Sequence, residues 1–194
     1  MIKYARTLHH NAVNILLSWD LFIIVFFGMV ITYSLLIGRN ATLKVIIATY
    51  MAILTADGLG NVFEQYLLPA APSLAGQAGI QALVLLKITV FILVILLLVV
   101  KGGFRVDMPA ENSMLVRVLS STSFGFLNAG LIVCTLLVYL TGGSFVFGTL
   151  HSALETDLYR ESELIQLMVD NYSIWFALPA VAVVFLSFVS PHTE

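Results

Sequence analysis

The stretch Ile80–Val100 reads IQALVLLKITVFILVILLLVV and carries a single charge, Lys87. A bilayer hydrocarbon core is about 30 Å thick and takes about 20 apolar residues of helix to cross. A helix on the surface of a soluble protein needs a polar face, and this run has none. Four other runs share its character: Leu21–Leu36, Leu43–Ala56 continuing toward Leu67, Ser121–Leu140 and Ile174–Val189. Pro179 lies in the last of them, which membrane helices tolerate where neighbours re-satisfy the freed carbonyl. The expected fold is an all-α, polytopic transmembrane helix bundle. It has four core spans near 20–37, 42–67, 79–100 and 121–141, and a fifth, C-terminal span near 173–190.

Composition agrees. Of 194 residues, 60% are hydrophobic and 10% charged, whereas soluble domains run near 45–50% and about 25%. The mean hydropathy is +1.01. A net charge of −2 provides no basic field for nucleic acid, so the expected surroundings are the lipid bilayer. The one cysteine, Cys134, has no disulfide partner in the chain and reads as a small buried or lipid-facing residue. No small-residue cleavage site follows the first apolar run, so that run reads as a retained span.

Gly38-Arg39-Asn40 leaves room only for a tight turn, making the first two spans an antiparallel hairpin. Asp57–Ala78 contains Gly58, Gly60, Pro69, Pro72 and Gly76 and reads as a loop with broken helix at its start. Lys101–Arg117 reads as a polar loop. In Thr149–Tyr172, Leu150, Leu154, Leu158, Ile165 and Met168 recur at helical spacing, with Glu155, Asp157, Glu161 and Glu163 largely between them. That predicts an amphipathic helix near 149–170 whose acidic face covers the other helices or a partner. The chain reads as one domain. Arg39, Lys44, Lys101, Arg105 and Arg117 gather on one side, against Lys3, Arg6 and Arg160 on the other. The positive-inside bias therefore places loops 38–44 and 101–120 in the cytoplasm and the N-terminus outside.

Lys87 is the conspicuous candidate. A charge deep in a span costs about 2.5–3.5 kcal/mol on insertion scales. It belongs to an ion or proton path, with Asp57 or Glu64 as counter-charge, or it snorkels or forms a structural pair. Asp57 is either an ion-coupling carboxylate or, more plainly, a residue at the water interface where the helix breaks. Asn128 reads as an interhelical hydrogen-bonding group before a substrate contact. Ala48, Ala52, Ala56 and Gly60, and Gly125 with Ala129, repeat at four-residue spacing. Such stripes mark close helix packing, within the monomer or between copies. Trp19 and Trp175 sit at span ends, as interfacial anchors do. No phosphate-cradling glycine loop, HExxH or serine elbow occurs, and the four histidines have no ligand spacing. No cofactor and no metal is expected. The only cluster dense enough for catalysis, Glu155–Asp170 with His151, reads as a solvated helix face, so the chain is not expected to be an enzyme.

Three stretches carry a resemblance. They are Ser18-Trp19-Asp20 before the first span, Leu36-Ile37-Gly38-Arg39 leading into Ala41–Ala52, and Leu115-Val116-Arg117-Val118-Leu119 followed by Phe124–Val133. Ser162-Glu163-Leu164-Ile165 adds a fourth. Together they are similar to the colicin V production protein (CvpA-like) family of bacterial inner-membrane proteins. The resemblance implies a four-span core with a cytoplasmic first turn and a role in envelope function, toxin export or biofilm formation. It implies no catalytic site. The resulting expectation is a scaffold or accessory subunit of an envelope or export assembly, forming homo-oligomers or associating with other membrane proteins. The alternative is a small channel or transporter with Lys87 and Asp57 in its pathway.

Overall fold

The structure, a computed structural model, describes residues 19–71, 74, 76–102, 114–145, 159 and 162–189, with side chains as far as 185 in the last helix. Six helices follow one another among the described residues: α1 Trp19–Ile37, α2 Arg39–Ala70, α3 Gln77–Val100, α4 Met114–Leu140, α5 Glu163–Asp170 and α6 Tyr172–Val189. The first four are each long and apolar enough to cross a membrane. The short α5 and the longer α6 meet at a 64° bend and together make a fifth candidate span. The protein is an all-α transmembrane helix bundle.

Gly38 alone separates α1 from α2, at φ +82°, a conformation that a side chain would strain. Contrary to the sequence reading, α2 does not break at Gly58. It runs on to Ala70, with a π-helical stretch over Phe63–Leu67. A glycine costs a helix only about 1 kcal/mol, and Gly60 offsets this by admitting the stem of Lys87. The helix stops at Ala71, whose φ of −120° and ψ of 89° are extended, as expected of a residue preceding a proline. The loop expected over 101–120 does not extend over residues 114–120. α4 already begins at Met114, so Arg117 is helical; no glycine or proline between Glu111 and Phe124 halts the helix earlier. Of the amphipathic segment near 149–170, residues 163–170 form α5, with Ile165, Met168 and Val169 buried. Residues 149–158 and 160–161 lie outside the described residues.

α4 is the centre of the bundle. Of its most apolar window, 67% is buried inside the protein, against 11% for α1 and for α3. Its glycines explain the closeness. A side chain at Gly125 would collide with Ser34 and Ile31 of α1, and one at Gly130 with the ring of Trp175. Trp175 packs inside the bundle, clustered with Phe27 and Phe126 at ring separations of 6.1 and 5.7 Å. Ala48, Ala52, Ala56 and Ala129 are fully buried inside the monomer. Cys134 is buried too, with its Sγ 3.7 Å from the Met168 carbonyl. Where α1, α2 and α4 meet, the Ser34 hydroxyl donates to the Ser121 carbonyl and shares a 2.7 Å hydrogen bond with Thr42.

The Pro179 region of α6 is held by another helix. The Tyr50 hydroxyl of α2 donates to the Phe176 carbonyl at 2.5 Å and accepts from the Ala180 amide at 3.0 Å. In an uninterrupted helix these two groups would bond each other. Tyr50 is thus inserted into the ladder beside the proline. Tyr50→Phe leaves both groups without that partner and should cost about 1–3 kcal/mol. Thermal unfolding in detergent measures the loss, and an unchanged midpoint would contradict the role given to the hydroxyl.

Candidate functional site

Asp57 and Lys87 meet in the bundle. The Lys87 Nζ lies 3.4 Å from the Asp57 Oδ1. The residues are 1% and 6% exposed, respectively. Lys87 lies about 10 Å into the apolar stretch from Ile80 and about 20 Å from Val100, at about 1.5 Å per residue. Asp57 is therefore enclosed by protein groups, and the Lys87 ammonium ends on protein partners inside the bundle. The glycine spacing after Asp57 suggests a helix end, yet it serves a close approach. A Cβ at Gly60 would stand 2.6 Å from Lys87 Cε, so a larger residue there would push the lysine stem aside.

The rest of the site comes from the end of α4. The helix closes at Gly142, at φ +73°. The Gly142 amide bonds the Tyr139 carbonyl and the Gly143 amide bonds the Val138 carbonyl, the paired C-terminal closure that glycine favours. Beyond it, Gly143–Phe145 is non-helical. The Gly143 carbonyl accepts from Lys87 Nζ at 3.1 Å, and the Phe145 amide donates to Asp57 Oδ2 at 2.9 Å. Irregular backbone at this depth must have its polar groups met by protein, and the ion pair meets two of them. The cation also sits at the negative end of the α4 dipole. Tyr139 completes the shell. Its ring centroid is 5.6 Å from Lys87 Nζ, its hydroxyl donates to the Ile53 carbonyl, and it faces Asp57.

Phe145 carries the site to the bend between α5 and α6. It stacks on Phe176 at 5.0 Å and meets Tyr172 edge-on at 6.0 Å. The ion pair, the unwound end of α4 and the broken α5–α6 span are thus in contact with one another. Leu140, Thr141 and Gly142 also line a groove of about 560 Å³ that runs along α3 past Gln81, Val84 and Ile88.

The other candidates lie apart. Glu64 is exposed on the π-helical stretch, seven residues along α2 from Asp57, or about 10 Å. Asn128 is buried on α4, its Oδ1 unmatched by any hydrogen bond among the described residues, and eleven residues from Tyr139. Sequence reasoning missed Tyr139, Gly143 and Phe145, although the glycine pair after a long apolar helix was visible. No grouping of three or more histidine, cysteine, aspartate or glutamate side chains suited to a metal ion occurs among the described residues. No protein-family model matches the chain, nor does any curated protein or solved structure.

Proposed function

We propose that this protein is a small ion-coupled transporter or channel whose charged step is the Asp57–Lys87 pair. The observation that carries the reading is the pair itself, buried about 10 Å inside the apolar stretch beside the C-terminal end of α4 and near the α5–α6 bend. Ionisable groups inside a span mark ion or substrate pathways by default. Transporters use backbone carbonyls freed at helix ends inside the membrane; here Gly143, just past the end of α4, offers one to the Lys87 ammonium. The small-residue stripe of α2 is buried inside the monomer, which weakens its use as an oligomer contact. In this reading the protein lies in a bacterial inner membrane with the Gly38 turn and the connection from α3 to α4 cytoplasmic.

The test is flux through proteoliposomes, followed with a pH-sensitive and a potential-sensitive dye. Lys87→Ala and Asp57→Asn should each reduce flux at least tenfold. The double variant D57N/K87Q keeps hydrogen-bonding amides at both positions and should do the same without losing the fold. No flux from the parent, or equal flux from all variants, would remove the reading.

The second reading is a scaffold or accessory subunit of an envelope or export assembly, as in colicin V production proteins. One contact favours it. Two of the stretches that carry that resemblance touch each other: Asp20 accepts hydrogen bonds from the Ser162 hydroxyl and the Leu164 amide, and Ser162 caps α5 by accepting from the Ile165 amide. Crosslinking in the native membrane distinguishes this reading by recovering a defined partner even where flux is absent.

A further inference from the structure

We infer that Asn128 holds a water molecule in the junction of α1, α2 and α4, and that this junction is the leg of the ion route between the Gly38 turn and the Asp57–Lys87 pair; the second half rests on the transport reading above. Asn128 is 4% exposed, and its Oδ1 meets no hydrogen bond among the described residues. Buried polar atoms are nearly always paired with protein or with ordered water. Residues one turn away fix the direction of this side chain. Phe124 and Leu131 pack in one cluster with Leu43 and Ile46 of α2, and Gly125 abuts Ser34 of α1. Positions three and four apart share a helix face, so Asn128 lies on the face of α4 turned to both helices. An asparagine serving as glue would be bonded across to one of them.

Asn128 belongs to a polar line. On α4, Ser121, Asn128 and Thr135 stand seven residues apart, or about 10 Å, and all three are buried. On α2, Thr42, Thr49 and Asp57 follow at intervals of seven and eight residues and are buried as well. The two helices run in the same direction. They are joined through Ser34 at Thr42 and Ser121, and again by the bond from the Tyr139 hydroxyl to the Ile53 carbonyl. Asn128 and Thr49 thus each come two turns beyond a shared level. The hydroxyl protons beside Asn128 on this line are already used: Thr49 donates to the Val45 carbonyl and Thr135 to the Leu131 carbonyl. A hydroxyl has one proton and two lone pairs, so both can still accept and neither can donate to Asn128. A place that offers acceptors takes a donor from outside, and water is the smallest that brings two protons. Water held there stands about halfway along α2 between Thr42 and Asp57.

Two variants test this in liposomes. Asn128→Cys in a Cys134→Ala background is treated with methyl methanethiosulfonate, which attacks the thiolate, a form that water stabilises. The native Cys134 of the parent is the dry control, on the same helix and 1% exposed in an apolar cluster. N128C/C134A should react at least tenfold faster than Cys134. Asn128→Leu removes the amide and keeps a side chain of similar shape; it should unfold at or above the parental midpoint and carry at least tenfold less flux. A thiol at 128 that reacts no faster than Cys134 overturns the water site, whatever the flux. A lower midpoint for Asn128→Leu makes the amide a structural bond and overturns it too. Full flux through Asn128→Leu overturns the route. Rapid labelling in a protein whose parent carries no flux keeps the water site and removes the transport reading.

Discussion

Asp57→Asn and Lys87→Gln, made singly, are each expected to lower stability by about 3–5 kcal/mol, whereas the two together should return to within about 1 kcal/mol of the parent. Removing one partner of a buried ion pair leaves the other charge uncompensated, and that desolvated charge accounts for the loss. The double variant removes both charges. An asparagine side chain at position 57 can still accept from the Phe145 amide, and a glutamine side chain at position 87 can still donate to the Gly143 carbonyl. These are the two backbone groups that the parent residues satisfy. The coupling energy read from the cycle is therefore large, since the two groups act as one unit. Denaturant unfolding in a mild detergent measures all four proteins. Additive losses in the double variant would mean that the two residues stabilise the fold independently, contrary to the geometry described.

Gly130→Leu is the second large expectation. The Trp175 ring occupies the space into which a Cβ would project. That ring cannot swing aside cheaply, because Phe27 and Phe126 hold it. Overpacking of a close interface costs typically about 1–3 kcal/mol and occasionally more. The expected outcome is that α6 separates from α4 at this point and Trp175 turns toward lipid. In a Trp19→Phe background Trp175 is the only tryptophan, so its fluorescence and its quenching by brominated lipid report the change directly. An unaltered spectrum with an unaltered unfolding midpoint would show that the contact is not limiting.

The apolar runs make the helical architecture legible because lipid leaves a chain few alternatives. Hydropathy is local, and so is the information it carries. Helix ends are harder to read. Gly58 and Gly60 look like breakers one residue at a time, and only the position of Lys87, on another helix, shows why Gly60 is there. Arg117 reads as part of a loop when charge is equated with water, yet the first turns of α4 are well formed around it. At the site, Lys87 and Asp57 stand out as charges in apolar surroundings, and by sequence either Asp57 or Glu64 could serve as the counter-charge. Tertiary packing, not sequence spacing, picks out Asp57 and leaves Glu64 exposed. Tyr139, Tyr50 and Phe145 give no signal at all, since an aromatic residue in a hydrophobic run is ordinary until its polar partner on a distant helix is known.

The Tyr50 hydroxyl has a consequence for the order of assembly. With Pro179 in its middle, the last helix lacks one of its own backbone bonds and borrows a rung from a residue 126 positions earlier in the chain. Until the second helix is in place to lend it, the final segment is two half-rods on a weak hinge. It should therefore dock last and, when heated, be the first to leave.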